Sequence, residues 1–179
     1  MSKKLTILLL FAVFCFSPLH GKADDKLKEL ITLCSKGNNT ACSEVAKISQ
    51  KQCKAQKREG CYELACLYLN GLGVKKDYQK AARLFKKACA MGDGAACNNL
   101  GTLYERGLGV KKDYKKAAEL YKKACDMDKA LGCNNLGVLY ARGLGVKKDY
   151  TKAGRLFKKA CKMGDKAACY NFQFLYNSR

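Results

Sequence analysis

Ten of the chain's twelve cysteines fall into five pairs with seven residues between partners: Cys34/Cys42, Cys53/Cys61, Cys89/Cys97, Cys125/Cys133 and Cys161/Cys169. The last four pairs recur every 36 residues. A period of that size means that each repeat is one supersecondary unit, which buries its apolar face only by stacking on a neighbour. The architecture implied is a solenoid.

The copies align without gaps. Cys97 to Cys125 reads CNNLGTLYERGLGVKKDYKKAAELYKKAC, and Cys133 to Cys161 reads CNNLGVLYARGLGVKKDYTKAGRLFKKAC, with Cys61 to Cys89 as a third copy. Apolar residues fall at helical spacing, as at Leu100, Leu103 and Tyr104 and again at Ala117, Leu120, Tyr121 and Ala124, which predicts two amphipathic helices joined by a Gly-rich loop. Asp77, Asp113 and Asp149 close the GLGVKKD loops and are placed to cap the second helix. Gly71, Gly107 and Gly143 are placed to stop the first. Paired lysines such as Lys86/Lys87 suit the negative end of the second helix dipole. The one proline, Pro18, precedes the repeats, and no alternating β-branched run argues for a sheet. The fold class is all-α.

The chain begins with Lys3 and Lys4, an apolar run from Leu5 to Phe16, and small or polar residues around Gly21 and Ala23, the pattern of a secretory signal peptide cleaved after residue 21 or 23. The run is too short for a transmembrane anchor, and Phe14 stands where a lipidation signal at Cys15 would want a small residue. Cleavage after Ala23 removes Lys3, Lys4 and Lys22 from the 35 basic groups, leaving 32 against 15 acidic ones, a net charge of +17. The expected organisation is a signal peptide at 1–23, a shortened N-terminal capping repeat at 24–57, repeats at 58–94, 95–130 and 131–166, and a C-terminal capping helix at 167–179. The first stretch is short because Cys34 and Cys53 are 19 residues apart instead of 36.

A secreted chain with evenly spaced cysteines implies a disulfide framework. In an unbroken helix residues eight apart lie about 12 Å from each other, whereas bridged Cα atoms sit within roughly 7 Å. The chain must therefore turn between partners, and Met91-Gly92-Asp93-Gly94 and Met163-Gly164-Asp165 supply such turns. Each bridge then ties the end of one repeat to the first helix of the next, contributing about 2 to 3 kcal/mol by loop entropy. Zinc would ask for CxxC or Cys/His spacing; no CxxC occurs, and the one histidine, His20, lies in the signal region, so neither a metal nor another cofactor is expected.

Over the motif Cys-Asn-Asn-Leu-Gly-x-Leu-Tyr-x-Arg-Gly-Leu-Gly-Val-Lys-Lys-Asp-Tyr-x-Lys-Ala the chain resembles Sel1-like repeats, relatives of tetratricopeptide repeats. With the cysteine pairs added, the stretch from Leu27 to Tyr176 resembles the Helicobacter cysteine-rich proteins. The resemblance implies a right-handed α/α superhelix of disulfide-bridged repeats, secretion, and a family activity of penicillin binding and β-lactam hydrolysis. The residues present do not supply the usual machinery for hydrolysis. No SxxK or KTG motif occurs, the serines of the mature chain are Ser35, Ser43, Ser49 and Ser178, and Ser43 to Lys47 has the wrong spacing. Whether the protein is an enzyme is left open.

Solenoids of this type bind along the surface lined by the first helix of each repeat. Alignment on Leu-Gly places Tyr62, Asn98, Asn134 and Tyr170 there, with Cys66, Thr102, Val138 and Phe174 one turn on and Arg106 and Arg142 near the helix ends. Asparagine amides clamp peptide backbones and arginine takes carboxylates bidentately, so the expected ligand is an extended peptide, a protein or a cell-wall peptide, including a host protein, with β-lactams as mimics of D-Ala-D-Ala. The alternative is that Asn98 and Asn134 only bond neighbouring loops. Cys66 is the mature cysteine left over from the pairing, either filling a packing site, standing as a groove thiol or forming an intermolecular bridge. The basic excess reads as a solvated coat or as attraction to anionic cell surfaces. Nucleic acid is not an expected partner, because no recognised motif or base-stacking pattern appears.

Overall fold

The structure is a computed structural model that describes residues 25–177; the expected signal peptide and Ser178 lie outside the described residues. Within them are nine α-helices and no strand. The described residues divide into two compact units, the first ending at Ala88 and the second beginning at Cys89. The first holds α1 (Asp25–Ser35), α2 (Asn39–Lys54), α3 (Arg58–Asn70) and most of α4 (Tyr78–Ala90). The second holds α5 (Gly94–Arg106), α6 (Tyr114–Asp126), α7 (Ala130–Arg142), α8 (Tyr150–Lys162) and α9 (Lys166–Asn177). We call α3, α5, α7 and α9 A-helices, and α4, α6 and α8 the B-helices that follow the first three.

Local chemistry sets the boundaries. The Asp113 and Asp149 carboxylates accept from the Lys116 and Lys152 amides at 3.0 and 2.8 Å, opening α6 and α8, and Asp77 does the same for Lys80 at 2.9 Å. Those amide bonds, aided by the lysine ammoniums, hold the three carboxyls below their ordinary value. At the other end of each A-helix, Gly71, Gly107 and Gly143 take left-handed φ of 73°, 71° and 70°, and their amides bond back to Leu67, Leu103 and Leu139.

All five bridges form between consecutive helices: Cys34–Cys42, Cys53–Cys61, Cys89–Cys97, Cys125–Cys133 and Cys161–Cys169, with Cα separations of 4.5 to 4.7 Å in place of the roughly 12 Å of an unbroken helix. The short spacing between Cys34 and Cys53 has a simple cause. The 16-residue α2 carries both Cys42 near its start and Cys53 near its end, so one helix accepts a bridge from α1 and gives one to α3.

The bridges are not alike in burial. Cys42, Cys61, Cys97 and Cys133 are sealed in the core, and their partners are buried too. Cys161 and Cys169 are only half-buried, although their Cα atoms stand 4.6 Å apart like the rest. The reason is positional. Cys169 lies on α9, the last described helix, and no further described repeat stacks over the bridge it makes with α8.

Packing depends on small residues where helices meet. A Cβ on Gly101 or Gly137 would lie 2.7 Å from the ring of Tyr121 or Phe157, so each A-helix backbone forms the floor for a B-helix aromatic. In the first unit Leu27, Val45, Leu64 and Leu67 form the core with Cys34 and Cys42. In the second, one cluster gathers Tyr121, Leu136 and Leu139, and another surrounds Cys125 and Cys133 with Ala160 and Ala168.

The paired lysines reach further than their own helix. Lys87 Nζ donates to the Cys53 carbonyl at 2.9 Å and Lys159 Nζ to the Cys125 carbonyl at 3.0 Å, each satisfying the end of a helix 34 residues earlier. Others lie on tyrosines: Lys112 and Lys148 over Tyr114 and Tyr150 at 4.7 Å, and Lys116 and Lys152 over Tyr104 and Tyr140 at 5.4 Å.

Candidate functional site

The A-helix positions singled out in the sequence fall into distinct environments. In the first unit Tyr62 is buried, its ring 5.8 Å from that of Phe85, and Cys66 is buried outside the five bridges. Neither presents much surface to a ligand from this unit.

In the second unit the corresponding line runs Asn98, Thr102, Arg106 on α5 and Asn134, Val138, Arg142 on α7, at i, i+4, i+8 spacing that keeps one helix face. Burial grades along it: the asparagines are 8% exposed, Thr102 and Val138 half-buried, and both arginines exposed. Asn98 Oδ1 accepts from Asn135 Nδ2 at 3.0 Å, and Asn134 Oδ1 accepts from Asn171 Nδ2 at 2.9 Å. These bonds tie α5 to α7 and α7 to α9. The asparagine carbonyls are thus engaged by the next helix, and the Asn98 amide also reaches Asn99 Oδ1 at 3.4 Å. On α9, Tyr170 and Phe174 are exposed at 68% and 65%.

One cluster on this face escapes the sequence reading. Tyr121 Oη donates to Glu105 Oε2 at 2.6 Å and lies 3.1 Å from Thr102 Oγ1, while the tyrosine itself is 1% exposed. Burial, and then the bond to the Glu105 carboxylate, push this hydroxyl well above the ordinary tyrosine value. The signal is present in the sequence as a departure within near-identical copies, since Phe85 and Phe157 stand where Tyr121 stands.

A second buried polar pair lies in the first unit. Ser49 Oγ donates to Glu63 Oε2 at 3.1 Å. Burial lifts the Glu63 carboxyl to about 7, against the lowering effect of the Ser49 bond and with a small push from Glu59. The other described serines are engaged too: Ser35 Oγ bonds the Thr32 carbonyl, and Ser43 Oγ bonds the carbonyls of Asn39 and Gly73. Among the described residues no group of three or more His, Cys, Asp or Glu side chains is arranged to hold a metal ion.

The Sel1 repeat family matches at residues 58–93, 94–129 and 130–165. No curated protein matches the chain. Among solved structures, a Sel1 repeat protein from Oxalobacter formigenes is similar at 27% identity and a TM-score of 0.68, over 78% of this chain and 60% of that one. The protein c5321, a protective antigen of uropathogenic Escherichia coli strains with an SLR fold, is similar at 26% identity and a TM-score of 0.70, over 85% of this chain and 36% of its own. This chain therefore spans less than two thirds of either. Helicobacter pylori cysteine rich protein B is similar at 35% identity and a TM-score of 0.60, over 74% of this chain and 95% of that one. With an all-α solenoid fold, three matched repeats and a disulfide between each pair of consecutive repeats, the chain belongs to the Sel1 repeat family, in its Helicobacter cysteine-rich group.

Proposed function

We propose that the protein is an exported, disulfide-stapled binding module that takes an extended peptide, or a peptide segment of a partner protein or cell wall, along the A-helix face of its second unit. The observation that carries this reading is the repeated pair Arg106 and Arg142. Both are exposed, both stand at the carboxyl end of an A-helix, and both continue the line of buried asparagines that fixes α5 against α7. Two guanidiniums on a rigid spacing suit a ligand carboxylate. Repeats of this family commonly mediate protein interactions. Export is supported by ten cysteines held as disulfides and by the sequence of the leader, and among the described residues no helix is long and apolar enough to cross a membrane.

Hydrolysis of β-lactam rings, the other activity implied by the family resemblance, gains no support from the serines, which are bonded into helix and loop contacts. Binding without turnover remains compatible with the arginine pair.

The test is affinity selection. Immobilised oxidised protein is offered random nonapeptides with free carboxyl termini and the same pool amidated, and retained peptides are counted by mass spectrometry. The free-acid pool should be retained about tenfold better, and Arg106→Gln with Arg142→Gln should abolish the difference. Equal retention of both pools by the parent protein would sink the carboxylate role, and retention of neither would sink peptide binding itself.

A further inference from the structure

We infer that Glu105, fixed by Tyr121 and Thr102, is a recognition site for an ammonium or guanidinium group on the bound peptide. The inference rests on the peptide-binding reading above and adds a class of ligand to it.

Three positions carry the argument. The first is held by Cys66, Thr102 and Val138 in successive repeats, the second by Leu69, Glu105 and Ala141, and the third by Phe85, Tyr121 and Phe157. Only in the middle repeat are all three polar, and only there are they joined, Tyr121 Oη to Glu105 Oε2 and to Thr102 Oγ1. The other copies show that the repeat folds with apolar side chains at these places. A hydroxyl at a site that phenylalanine fills must recover its desolvation cost through bonds, and such exchanges return little net stability. What the polar set does provide is position. The half-buried Glu105 carboxylate is held by one oxygen, and a carboxylate has further lone pairs with which to accept from outside.

The electrostatic setting singles out the same group. Glu105 is the only acidic residue in α5, α7 and α9. It follows Thr102 by three residues and so lies near the same strip of α5, and the exposed Arg106 is the next residue, about 100° further round the helix. A chain with a formal charge of +20 disfavours cationic ligands in general. A fixed carboxylate one residue from an arginine at the same helix end selects a ligand carrying a cation a few residues from its carboxylate, such as a lysine or arginine side chain near a peptide's C-terminus.

The nonapeptides retained by the oxidised protein supply the test, now sorted by sequence. Those retained by the parent protein should be enriched in Lys or Arg within the last few positions, and Glu105→Gln should cut that enrichment about tenfold. The triple replacement Thr102→Val, Glu105→Ala, Tyr121→Phe installs the residues of the following repeat, so it should keep the helical circular dichroism and melting temperature while losing the enrichment. Retention without enrichment in the parent protein, or enrichment that survives either variant, overturns the role of Glu105 and leaves peptide binding standing. Retention of no peptide from either pool overturns both.

Discussion

The two units solve one contact differently. In the second, the paired positions one turn into each A-helix are Asn98/Asn99, Asn134/Asn135 and Tyr170/Asn171, and amide bonds from Asn135 and Asn171 join successive helices. In the first, the same positions hold Tyr62 and Glu63; the tyrosine packs on Phe85 and the carboxyl bonds the buried Ser49 of α2. An asparagine ladder is indifferent to pH. A buried carboxyl is not.

The largest test of this contrast is therefore pH. Glu63 has its carboxyl lifted by burial from an ordinary 4.5 to about 7, so between those values the folded state holds a proton that the unfolded chain releases. The stabilisation is complete below pH 4.5 and is lost as pH rises through 7, by up to about 3 kcal/mol. Native-state hydrogen exchange, corrected for intrinsic rates, should show α3 opening more readily at about pH 8 than at about pH 5 while α7 changes little. Glu63→Gln keeps the shape and the acceptor of the neutral form and should flatten the slope in α3. Equal slopes in α3 for the parent and the variant would assign the pH dependence elsewhere.

The ladder gives a smaller effect. Asn134→Ala removes the acceptor of Asn171 Nδ2 and should cost about 1 to 2 kcal/mol in urea denaturation, because a half-buried donor is left without its partner. Adding Asn171→Ala should restore part of that loss, since a pair removed together leaves no orphan. Strict additivity of the two losses would mean that the bond carries no coupling.

How much of this is legible in the sequence depends on separation along the chain and on which residues make a contact. Cysteine spacing, the Asp113 cap and the Gly107 stop are local, and each follows from a few neighbouring residues. The spacing that pairs Cys169 with Cys161 says nothing of how deeply the bridge is buried, since that is set by what stacks on α9. The bond from Lys159 to the Cys125 carbonyl and the bond from Asn171 to Asn134 cross 34 and 37 residues. Nothing in a lysine or asparagine says which neighbour it will meet, so sequence reasoning gives the lysines to their own helix dipole and leaves the asparagines between clamp and loop contact. Glu105 and Tyr121 elude it for another reason. Their meaning lies in the difference between copies, and a reading built on what the repeats share passes over the places where one departs.

The smallest effect lies in the turns between repeats. The turns at Gly92-Asp93 and Gly164-Asp165 place glycine at φ of 88° and 92° and follow it with an aspartate that caps the next helix. The equivalent turns hold Gln56-Lys57 and Asp128-Lys129, with non-glycine residues at φ of 59° and 53° and no side-chain cap at either lysine. Asp128→Gly with Lys129→Asp converts one kind into the other. Relief of the left-handed backbone and a new cap should together stabilise the second unit, each worth about 1 kcal/mol. Two losses oppose them. Asp128 pairs with Lys159 Nζ at 3.4 Å on an exposed surface, where such a pair is worth little, and the Lys129 stem packs where a Cβ on Gly94 would meet it at 2.8 Å. The net expectation is a gain of about 1 kcal/mol, read as a rise in melting temperature. A fall would mean that the lysine stem, by covering Gly94, contributes more than a helix cap in the same place.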